Sequence, residues 1–539
     1  MEVRIAYRIL RKISAWALVG FYSDVYVDLC KHSVPEDAPL ILTPCHHNEM
    51  IDAGALAATL PHRRMVSFWV KSSAFSHPVL GPILSSCGAI PVCRNPNKAD
   101  SSVSKSDLFD ATSVELARNQ VVGIFPEGTS YTEPAIAQVL SGAAWAALEF
   151  MRSQRDNSRS VIIIPVGIVY SDKSKFRSRV HIEYGAPMDM ASYIPSSLFE
   201  TEDADAETAM VKAVMKDVEA QLFNMTINAP DWETMYAAQM TRDILWTDER
   251  NVKLKDWVVV GQTLVKLFSP SASSPDAELV SVKRALTRYF SLLHHTNVSN
   301  AQLAFIIPDP SALPNRLFVL RFMLTALRTV LNPLFLLFIP LFLAHFPAYL
   351  FASLGSRLAP AGEEESQAQF KIWLGGLGAG LGVATSSYWI TRLSNSFAPQ
   401  LSGMQSNLFL FSFTAWLLLK CHFALVDSNY RRLQRLYTAY KVLWGVLQPR
   451  SWDLPSGKLA LYEKPPAPAA NPYIRKRDES TALGGKEWLK AQPPVIPSRK
   501  VIYHLLLARQ AAISALARYL QGGRPEEQML RSLGGVLPV

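Results

Sequence analysis

Residues 40–52 read LILTPCHHNEMID, so that an apolar strand runs into a pair of histidines and an aspartate follows. His47 and Asp52 are separated by four residues, a spacing that lets an imidazole and a carboxylate face each other across slightly more than one helical turn. A carboxylate in that position holds the imidazole in one tautomer and stabilises it once it is protonated. The spacing predicts a general base, His47, that is oriented by Asp52.

A second stretch, Phe125–Thr129, reads FPEGT and closes the apolar run that begins at Val121. Glu127 followed by Gly128 predicts a turn at the end of a buried strand, where the backbone comes close to a ligand. The two stretches together predict a base that removes a proton from a hydroxyl, beside a turn that receives a phosphorylated substrate.

Short apolar strands alternate with helix-length segments between residues 38 and 190. This alternation is typical of an α/β fold, either a sandwich or a doubly wound sheet, and we expect a mixed sheet flanked by helices. The predicted strands are Leu40–Thr43, Met65–Val70, Ala89–Val92, Val121–Phe125, Val161–Val169 and Val180–Tyr184.

The composition points towards a membrane. With 539 residues, the chain exceeds the size that one core usually serves, so two or more units are expected. Apolar residues make up 49% and charged residues 18%, a balance shifted from soluble proteins towards membrane proteins. The net charge of +9 suits anionic partners, and because basic clusters lie beside apolar stretches we expect a lipid bilayer rather than nucleic acid.

The five cysteines are scattered and show no metal-ligand spacing, which predicts free thiols in a reducing compartment and no metal site. At the N-terminus, basic residues interrupt the apolar ones, so no cleavable signal is expected.

Two apolar stretches, 331–352 and 407–426, are long enough to span a bilayer. Between them the glycine-rich stretch 372–390 is either a third span or a re-entrant segment. Arginines flank the apolar region on both sides, which predicts that both flanks face the cytosol and that the number of crossings is even, with two or four favoured over three. These arginines are Arg316, Arg321, Arg328, Arg431, Arg432 and Arg435.

The same patterns divide the chain into six segments. Residues 1–35 are predicted as an amphipathic helix that lies in the membrane interface or packs on the domain that follows. The others are an α/β domain (36–228), a helical extension (229–315), a transmembrane region (316–450), a Pro-rich linker (451–499) and a C-terminal amphipathic helix with a tail (500–539).

His-x4-Asp followed by Phe-Pro-Glu-Gly-Thr resembles the glycerolipid acyltransferase family, whose members move fatty acyl groups from acyl-CoA to glycerol phosphates and lysophospholipids. Two further blocks stand in the family's order: residues 88–94, GAIPVCR, and residues 161–167, VIIIPVG. The resemblance covers roughly residues 38–190. The residues of these blocks and the long apolar region are most similar to those of fungal-type glycerol-3-phosphate/dihydroxyacetone phosphate acyltransferases.

The resemblance implies roles for residues in these blocks. Arg94 is the best candidate for the acceptor phosphate, with a surface arginine as the rival interpretation. The turn at Glu127 is implied to bind the acceptor, with a purely structural turn as its rival. Pro165 is expected to shape the acyl-chain side. The implied substrate-binding residues are Lys71, Gly88, Arg94, Glu127, Gly128, Thr129 and Pro165.

His46 is an alternative base. The common family pattern has asparagine immediately before the histidine, whereas here His46 stands in that place. Some relatives resemble His-x-Asn-x3-Asp, a pattern that selects His46. The spacing to Asp52 favours His47.

The sequence thus predicts an acyl-CoA-dependent O-acyltransferase that acylates the sn-1 hydroxyl of glycerol 3-phosphate or dihydroxyacetone phosphate, with acyl-CoA as co-substrate and no cofactor. The expected location is the endoplasmic reticulum membrane, with several spans and the catalytic domain facing the cytosol. One alternative is a lysophosphatidic acid or other lysophospholipid acyltransferase. A remote alternative is a non-catalytic membrane scaffold.

Overall fold

The computed structural model describes residues 4–29, 34–92, 105–154, 159–194, 203–270, 277–311, 317–360, 363–399, 403–447, 454, 456–465, 471, 473–474, 500–521 and 523–536. These residues belong to two units. The first, called the sheet unit, contains Met1–Asn228, Glu364–Ser366 and Ala470–Glu479. The second, called the helical unit, contains Ala229–Glu363, Gln367–Ala469 and Ser480–Val539.

The sheet unit is built on one eight-stranded sheet in the order β1-β7-β6-β2-β5-β3-β4, with β8 pairing with β6. Strands β6, β2, β5, β3 and β4 are parallel to their neighbours in that order, whereas β7 runs antiparallel to β6. The strands are β1 Asp24–Asp28, β2 Leu40–Pro44, β3 Val66–Lys71, β4 Ile90–Val92, β5 Val121–Gly123, β6 Ile162–Tyr170, β7 Arg179–Tyr184 and β8 Met188–Asp189.

Helices complete the sheet unit: α1 Ile5–Phe21, α2 Glu49–Thr59, α3 Leu80–Ser86, α4 Lys105–Ala117, α5 Gly142–Ser153 and α6 Ala204–Met225. The central strands are buried along their length, as the side chains of Leu40, Ile41 and Leu42 show. Continuous apolar runs of this kind are typical of parallel strands covered on both faces. The predicted mixed sheet flanked by helices is confirmed.

The N-terminal segment differs from its prediction. Its helix ends at Phe21, and Asp24–Asp28 form an edge strand that pairs in parallel with β7. A strand of five residues at a sheet edge carries too little apolar pattern to be recognised in the sequence. One face of α1 packs on the sheet unit through Tyr7, Leu18 and Phe21.

The other face of α1 leaves apolar side chains exposed: Ile5, Ile9, Ile13 and Trp16. The predicted packing on the domain is therefore present. Contact of the exposed face with a membrane stays a prediction.

The described part of the helical unit consists of helices. They are α7 Trp232–Leu245, α8 Trp257–Phe268, α9 Ala277–Thr296, α10 Asn300–Ile306, α11 Leu317–Val330, α12 Pro333–Gly355, α13 Gln367–Phe397, α14 Met404–Leu447, α15 Ser456–Leu459, α16 Ile502–Leu520 and α17 Pro525–Ser532. Most of the predicted linker 451–499 lies outside the described residues.

Two helices of the described chain are long and apolar enough to cross a membrane, Pro333–Gly355 and Met404–Gly445. They contain the predicted spans 331–352 and 407–426 almost entirely, although the second helix continues well beyond the predicted end. The glycine-rich stretch 372–390 lies inside α13, a continuous helix of 31 residues. The number of crossings stays a prediction.

Candidate active site

Parallel pairing brings the two sequence motifs to one edge of the sheet. Because β2, β5 and β6 run parallel, the segments that follow them all leave the sheet at its carboxyl-terminal edge. The segment after β2 carries the histidines, and the one after β5 carries Phe125–Thr129. Open parallel sheets place ligand sites at this edge.

Asp52 is the centre of a buried hydrogen-bond network. It lies in the first turn of α2 and is completely buried. Its Oδ2 atom accepts from the backbone amide of Asn48 at 2.7 Å and lies 3.0 Å from Nδ1 of His46. Its Oδ1 atom accepts from the Tyr170 hydroxyl at 2.6 Å. Three partners on one buried carboxylate satisfy its charge and fix its orientation.

The His46 imidazole is held by this carboxylate in one tautomer. With Nδ1 donating to Asp52, the neutral ring leaves Nε2 as the proton acceptor. One face of the ring stacks on Phe125, with the ring centroids 4.0 Å apart. Within the described chain, no hydrogen bond uses Nε2 of His46. An imidazole with one oriented nitrogen and one available nitrogen is the arrangement that a general base requires.

His47 has a different environment, which corrects the predicted pairing of His47 with Asp52. No hydrogen bond joins these two residues in the described structure; the His47 ring meets the edge of Tyr131 at a centroid distance of 6.4 Å. Burial lowers the pKa of His47 to about 4, although the negative charge of Asp52 raises it.

The cause of this difference is the backbone before α2. The prediction used helical spacing, but α2 begins only at Glu49, after an N-cap residue, Asn48, with φ −145°. Glu49 itself has a positive φ of 41°. Residues 46–48, called here the histidine turn, are therefore not helical, and the residue six positions before Asp52 is the one that reaches its carboxylate.

Glu127, in the Phe125–Thr129 motif, contacts the histidine turn. Its Oε1 atom accepts from the backbone amide of His46 at 2.5 Å, and its carbonyl oxygen accepts from Gln138 at 2.7 Å. Burial raises the pKa of Glu127 to about 7, against the hydrogen bond from the His46 amide, which lowers it. The carboxyl group of Glu127 thus fixes the position of His46 through the backbone of that residue.

Gly128 has a φ of +72°, a conformation that favours glycine, and an added Cβ would lie 2.7 Å from Cδ1 of Leu140. The predicted turn is present at this residue, whereas the approach of its backbone to a ligand stays a prediction. The neighbouring Thr129 is buried, and its hydroxyl oxygen lies 3.5 Å from the side-chain nitrogen of Asn471.

The remaining predicted residues make no described contact with the histidines or lie outside the described chain. Pro165 is a residue of β6 opposite Thr43 in β2, and Lys71 ends β3 at the carboxyl-terminal edge. Gly88 has a φ of +75° and packs against the guanidinium of Arg4. Arg94 lies outside the described residues. The substrate-binding roles of these residues stay predictions.

Sequence reasoning did not identify three residues of the site: Tyr22, Tyr170 and Lys173. The side-chain nitrogen of Asn48 donates to the Tyr22 hydroxyl at 2.9 Å and to the Lys173 carbonyl at 3.1 Å. Burial and then the Asp52 charge raise the pKa values of both tyrosines well above their usual range, so both hydroxyls stay protonated donors. Tyr170 ends β6 and Tyr22 follows α1, and nothing in the sequence connects these residues or Lys173 with Asp52.

The described residues contain no group of three or more histidine, cysteine or acidic side chains that could hold a metal ion. Cys45, Cys87 and Cys421 are free thiols, whereas Cys30 and Cys93 lie outside the described chain. Catalysis without metal or cofactor stays a prediction.

Comparison with known proteins gives a family match for part of the chain. Residues 29–169 match the family model described as Acyltransferase. This range includes the histidine turn, Asp52 and Glu127.

Two curated relatives come from Saccharomyces cerevisiae. Glycerol-3-phosphate O-acyltransferase 2 is 26% identical over 201 residues, which is 37% of this chain and 26% of the relative. Glycerol-3-phosphate O-acyltransferase 1 is 27% identical over 198 residues, which is 36% of this chain and 25% of the relative. The match therefore spans about a quarter of the length of these relatives.

Among solved structures, the 1-acyl-sn-glycerophosphate (LPA) acyltransferase PlsC from Thermotoga maritima is 17% identical, with a TM-score of 0.26, and the match covers 40% of this chain and 80% of PlsC.

Proposed function

Because residues 29–169 match the acyltransferase family, we propose that the chain transfers a fatty acyl group from acyl-CoA to the sn-1 hydroxyl of glycerol 3-phosphate or dihydroxyacetone phosphate. The product is lysophosphatidic acid or its dihydroxyacetone phosphate counterpart. The names of the two yeast relatives support the choice of a glycerol phosphate acceptor.

The observation that carries the proposal is the buried pair of His46 and Asp52, 3.0 Å apart, at the carboxyl-terminal edge of the sheet. In acyl transfer to an alcohol, the hydroxyl must lose its proton as it attacks, since its own pKa lies far above neutrality. A neutral imidazole has a suitable basicity for this step. The proposed base is therefore His46, and Asp52 is its orienting partner.

In the proposed reaction, Nε2 of His46 takes the proton of the acceptor hydroxyl as the oxygen attacks the thioester carbonyl carbon. The new carbon–oxygen bond replaces the carbon–sulfur bond, and the coenzyme A thiolate leaves. The imidazolium then returns the proton to this thiolate. The Asp52 carboxylate stabilises the transient imidazolium. No covalent acyl-enzyme is needed, because the thioester is already an activated acyl group.

The acceptor carries about two negative charges near neutrality, so its site requires basic side chains and backbone amides. Arg94 and Lys71 remain the residues proposed for this role from the sequence. Glu127 contributes in another way, by fixing the His46 backbone.

We also propose a multi-pass location in the endoplasmic reticulum membrane with the sheet unit facing the cytosol. Two helices long and apolar enough to cross a bilayer support the membrane part of this proposal. Arginines on both flanks of the apolar region support the orientation.

Radiolabelled acceptor assays test the function. Full-length protein in detergent or proteoliposomes is supplied with palmitoyl-CoA or oleoyl-CoA and with glycerol 3-phosphate, dihydroxyacetone phosphate or lysophosphatidic acid. We expect acylation of at least one of the first two, at a rate well above that of lysophosphatidic acid. Preferential acylation of lysophosphatidic acid would support the second-step alternative. Failure of well-folded protein to acylate any acceptor would refute the proposal.

A further inference from the structure

An acidic segment from far along the chain contacts the candidate active site. Glu364–Ser366 connect α12 to α13 in the sequence, yet these three residues belong to the sheet unit. Glu365 is buried there, and its Oε2 atom accepts a hydrogen bond from the Thr132 hydroxyl at 2.7 Å. Thr132 follows the Phe125–Thr129 motif by only a few residues.

The segment Glu364–Ser366 lies beside a positively charged side chain, that of Lys173. Its ammonium group donates to the Thr132 hydroxyl oxygen at 2.5 Å and to the backbone carbonyls of His47 at 3.3 Å and Tyr131 at 3.4 Å. The same group lies 4.0 Å from Oε2 of Glu365, and the Lys173 side chain is only 12% exposed. Lys173 therefore binds the histidine turn and the segment after β5 at the same time.

The Lys173 ammonium group polarises the Thr132 hydroxyl. Because its oxygen accepts from the ammonium group, its own hydrogen is directed to Glu365, and a hydroxyl polarised in this way is a good donor to an anion. An ammonium group with an adjacent hydroxyl is a typical set of partners for a phosphate oxygen.

Both carboxylates of the segment interact with Lys173. Glu364 accepts from the Ser174 hydroxyl at 3.3 Å. Burial raises the pKa of Glu364, and the positive charge of Lys173 lowers it. A nearly buried ammonium group needs an anion beside it, since an unpaired buried charge costs several kcal/mol. Removal of Glu365 from Lys173 is thus tolerable when another anion replaces it.

We propose that Lys173 and Thr132 form a phosphate-monoester site for the acceptor, and that Glu365 occupies this site when no acceptor is bound. Acceptor binding then displaces the segment Glu364–Ser366. This inference rests on the proposed function for the identity of the acceptor. The position of Lys173 on the carbonyl of His47, next to the proposed base, places the phosphate close to the residue that deprotonates the hydroxyl.

Kinetics of charge variants in the full-length protein test the site. Glu365→Gln keeps the shape and the hydrogen-bond acceptor but removes the competing charge, so KM for glycerol 3-phosphate is expected to fall about threefold to tenfold. Lys173→Met is expected to raise that KM by about tenfold or more. In both variants KM for palmitoyl-CoA stays at the wild-type value, a split that general structural damage would not produce. Glu36→Gln, a surface change, is the control.

A second measurement needs no variant. Hydrogen–deuterium exchange of the wild-type chain is followed at residues 363–366 with and without saturating inorganic phosphate. We expect faster exchange with phosphate, because the anion releases the segment. Unchanged or slower exchange in the saturated protein overturns the inference. Because this measurement uses the wild-type chain, it tests the inference even if Glu365→Gln does not fold.

The outcomes separate this inference from the proposed function. If wild-type protein acylates glycerol 3-phosphate but Glu365→Gln leaves or raises its KM, the inference is wrong and the function stands. If no acceptor is acylated but Glu365→Gln binds inorganic phosphate more tightly than wild type in calorimetry, the site stands and the function fails.

Discussion

The sheet unit buries carboxylates among apolar strands, whereas the long apolar helices of the helical unit expose large apolar side chains. In the sheet unit, Asp52 and Glu127 are both 0% exposed, inside a shell of apolar strands. In the long helices, large apolar residues point outward: Leu337 is 61%, Leu343 is 63% and Leu377 is 65% exposed. Water would penalise this second arrangement, whereas lipid would not.

The contacts between the long helices also differ from those inside the sheet unit. Between α12 and α13, glycines allow close backbone approach: an added Cβ at Gly378 would lie 2.4 Å from the Pro347 carbonyl oxygen, and one at Gly382 would lie 2.2 Å from that of Ala344. These two glycines therefore lie at the contact between the two helices. Small residues at helix contacts are typical of helices that associate in an apolar environment.

The two regions therefore gain their stability in different ways. The sheet unit uses apolar burial to hold charged groups in fixed positions, which a base with an oriented tautomer requires. The long helices gain little from burial of apolar surface and depend on shape. Substitutions that remove a charge should therefore act in the first region, and substitutions that add volume or charge should act in the second.

The largest expected effect is on catalysis. His46→Ala removes the proposed base and should lower kcat by about a thousandfold in the acceptor assay. His47→Ala is the matched control, since His47 makes no hydrogen bond to Asp52, and its loss should remain within about tenfold. Full activity of His46→Ala together with loss in His47→Ala would return the assignment to the residue that sequence spacing favoured.

A charge on the exposed face of α12 tests the other region. Leu343→Lys places an ammonium group near the middle of the first apolar helix, which costs about 3 kcal/mol if that position lies in lipid. The expected result is a smaller fraction of protein that resists alkaline carbonate extraction from membranes. Met529→Lys, on an exposed apolar residue of α17, is the control. Equal extraction of both variants and wild type would show that this face does not contact lipid.

The stability of the sheet unit should depend on the protonation of Glu127. Its pKa is raised from 4.5 to about 7, so the folded chain binds this proton more tightly than the unfolded chain does. Stability from this group is present below about pH 4.5 and is lost as pH rises to about 7. Relative to wild type, Glu127→Gln should gain up to about 3 kcal/mol between these pH values. Denaturant unfolding followed by tryptophan fluorescence measures this difference.

For His47→Gln, the expected pH dependence of stability has the opposite sign. The pKa of His47 is lowered from 6.5 to about 4, so the unfolded chain binds this proton more tightly, and wild type loses stability as pH falls through that range. Relative to wild type, His47→Gln should therefore gain stability on acidification. A stability difference that does not change with pH for either variant would contradict the burial of these groups.

The smallest expected effect concerns helix packing. Gly378→Val inserts a side chain against the Pro347 carbonyl and should destabilise the helix pair by about 1–3 kcal/mol, seen as a lower melting temperature in detergent. Gly380→Val adds the same volume two residues away, where, apart from the neighbouring residues and backbone of its own helix, no described atom lies within 4 Å of the added Cβ. If both variants melt at the same temperature, close backbone approach does not hold these helices together.

Much of the fold could be predicted because its signals are local. Apolar runs flanked by turn residues give β2, β5 and β6 within a residue or two, and uncharged stretches give α12 and α14. The edge strand β1 was missed because five residues at an edge carry a weak pattern. The approximate position of the site followed from motifs at strand ends, since parallel strands deliver those ends to one edge.

Local sequence patterns suffice to predict that a histidine pair, Asp52 and the turn at Glu127 meet, because each follows the end of a strand. They do not predict which histidine the carboxylate holds. That choice depends on the non-helical backbone at Asn48 and Glu49, and on Tyr170, which parallel pairing of β6 with β2 brings to Asp52 from 118 residues away. Side-chain partners at such separations are set by packing, and no local spacing encodes them.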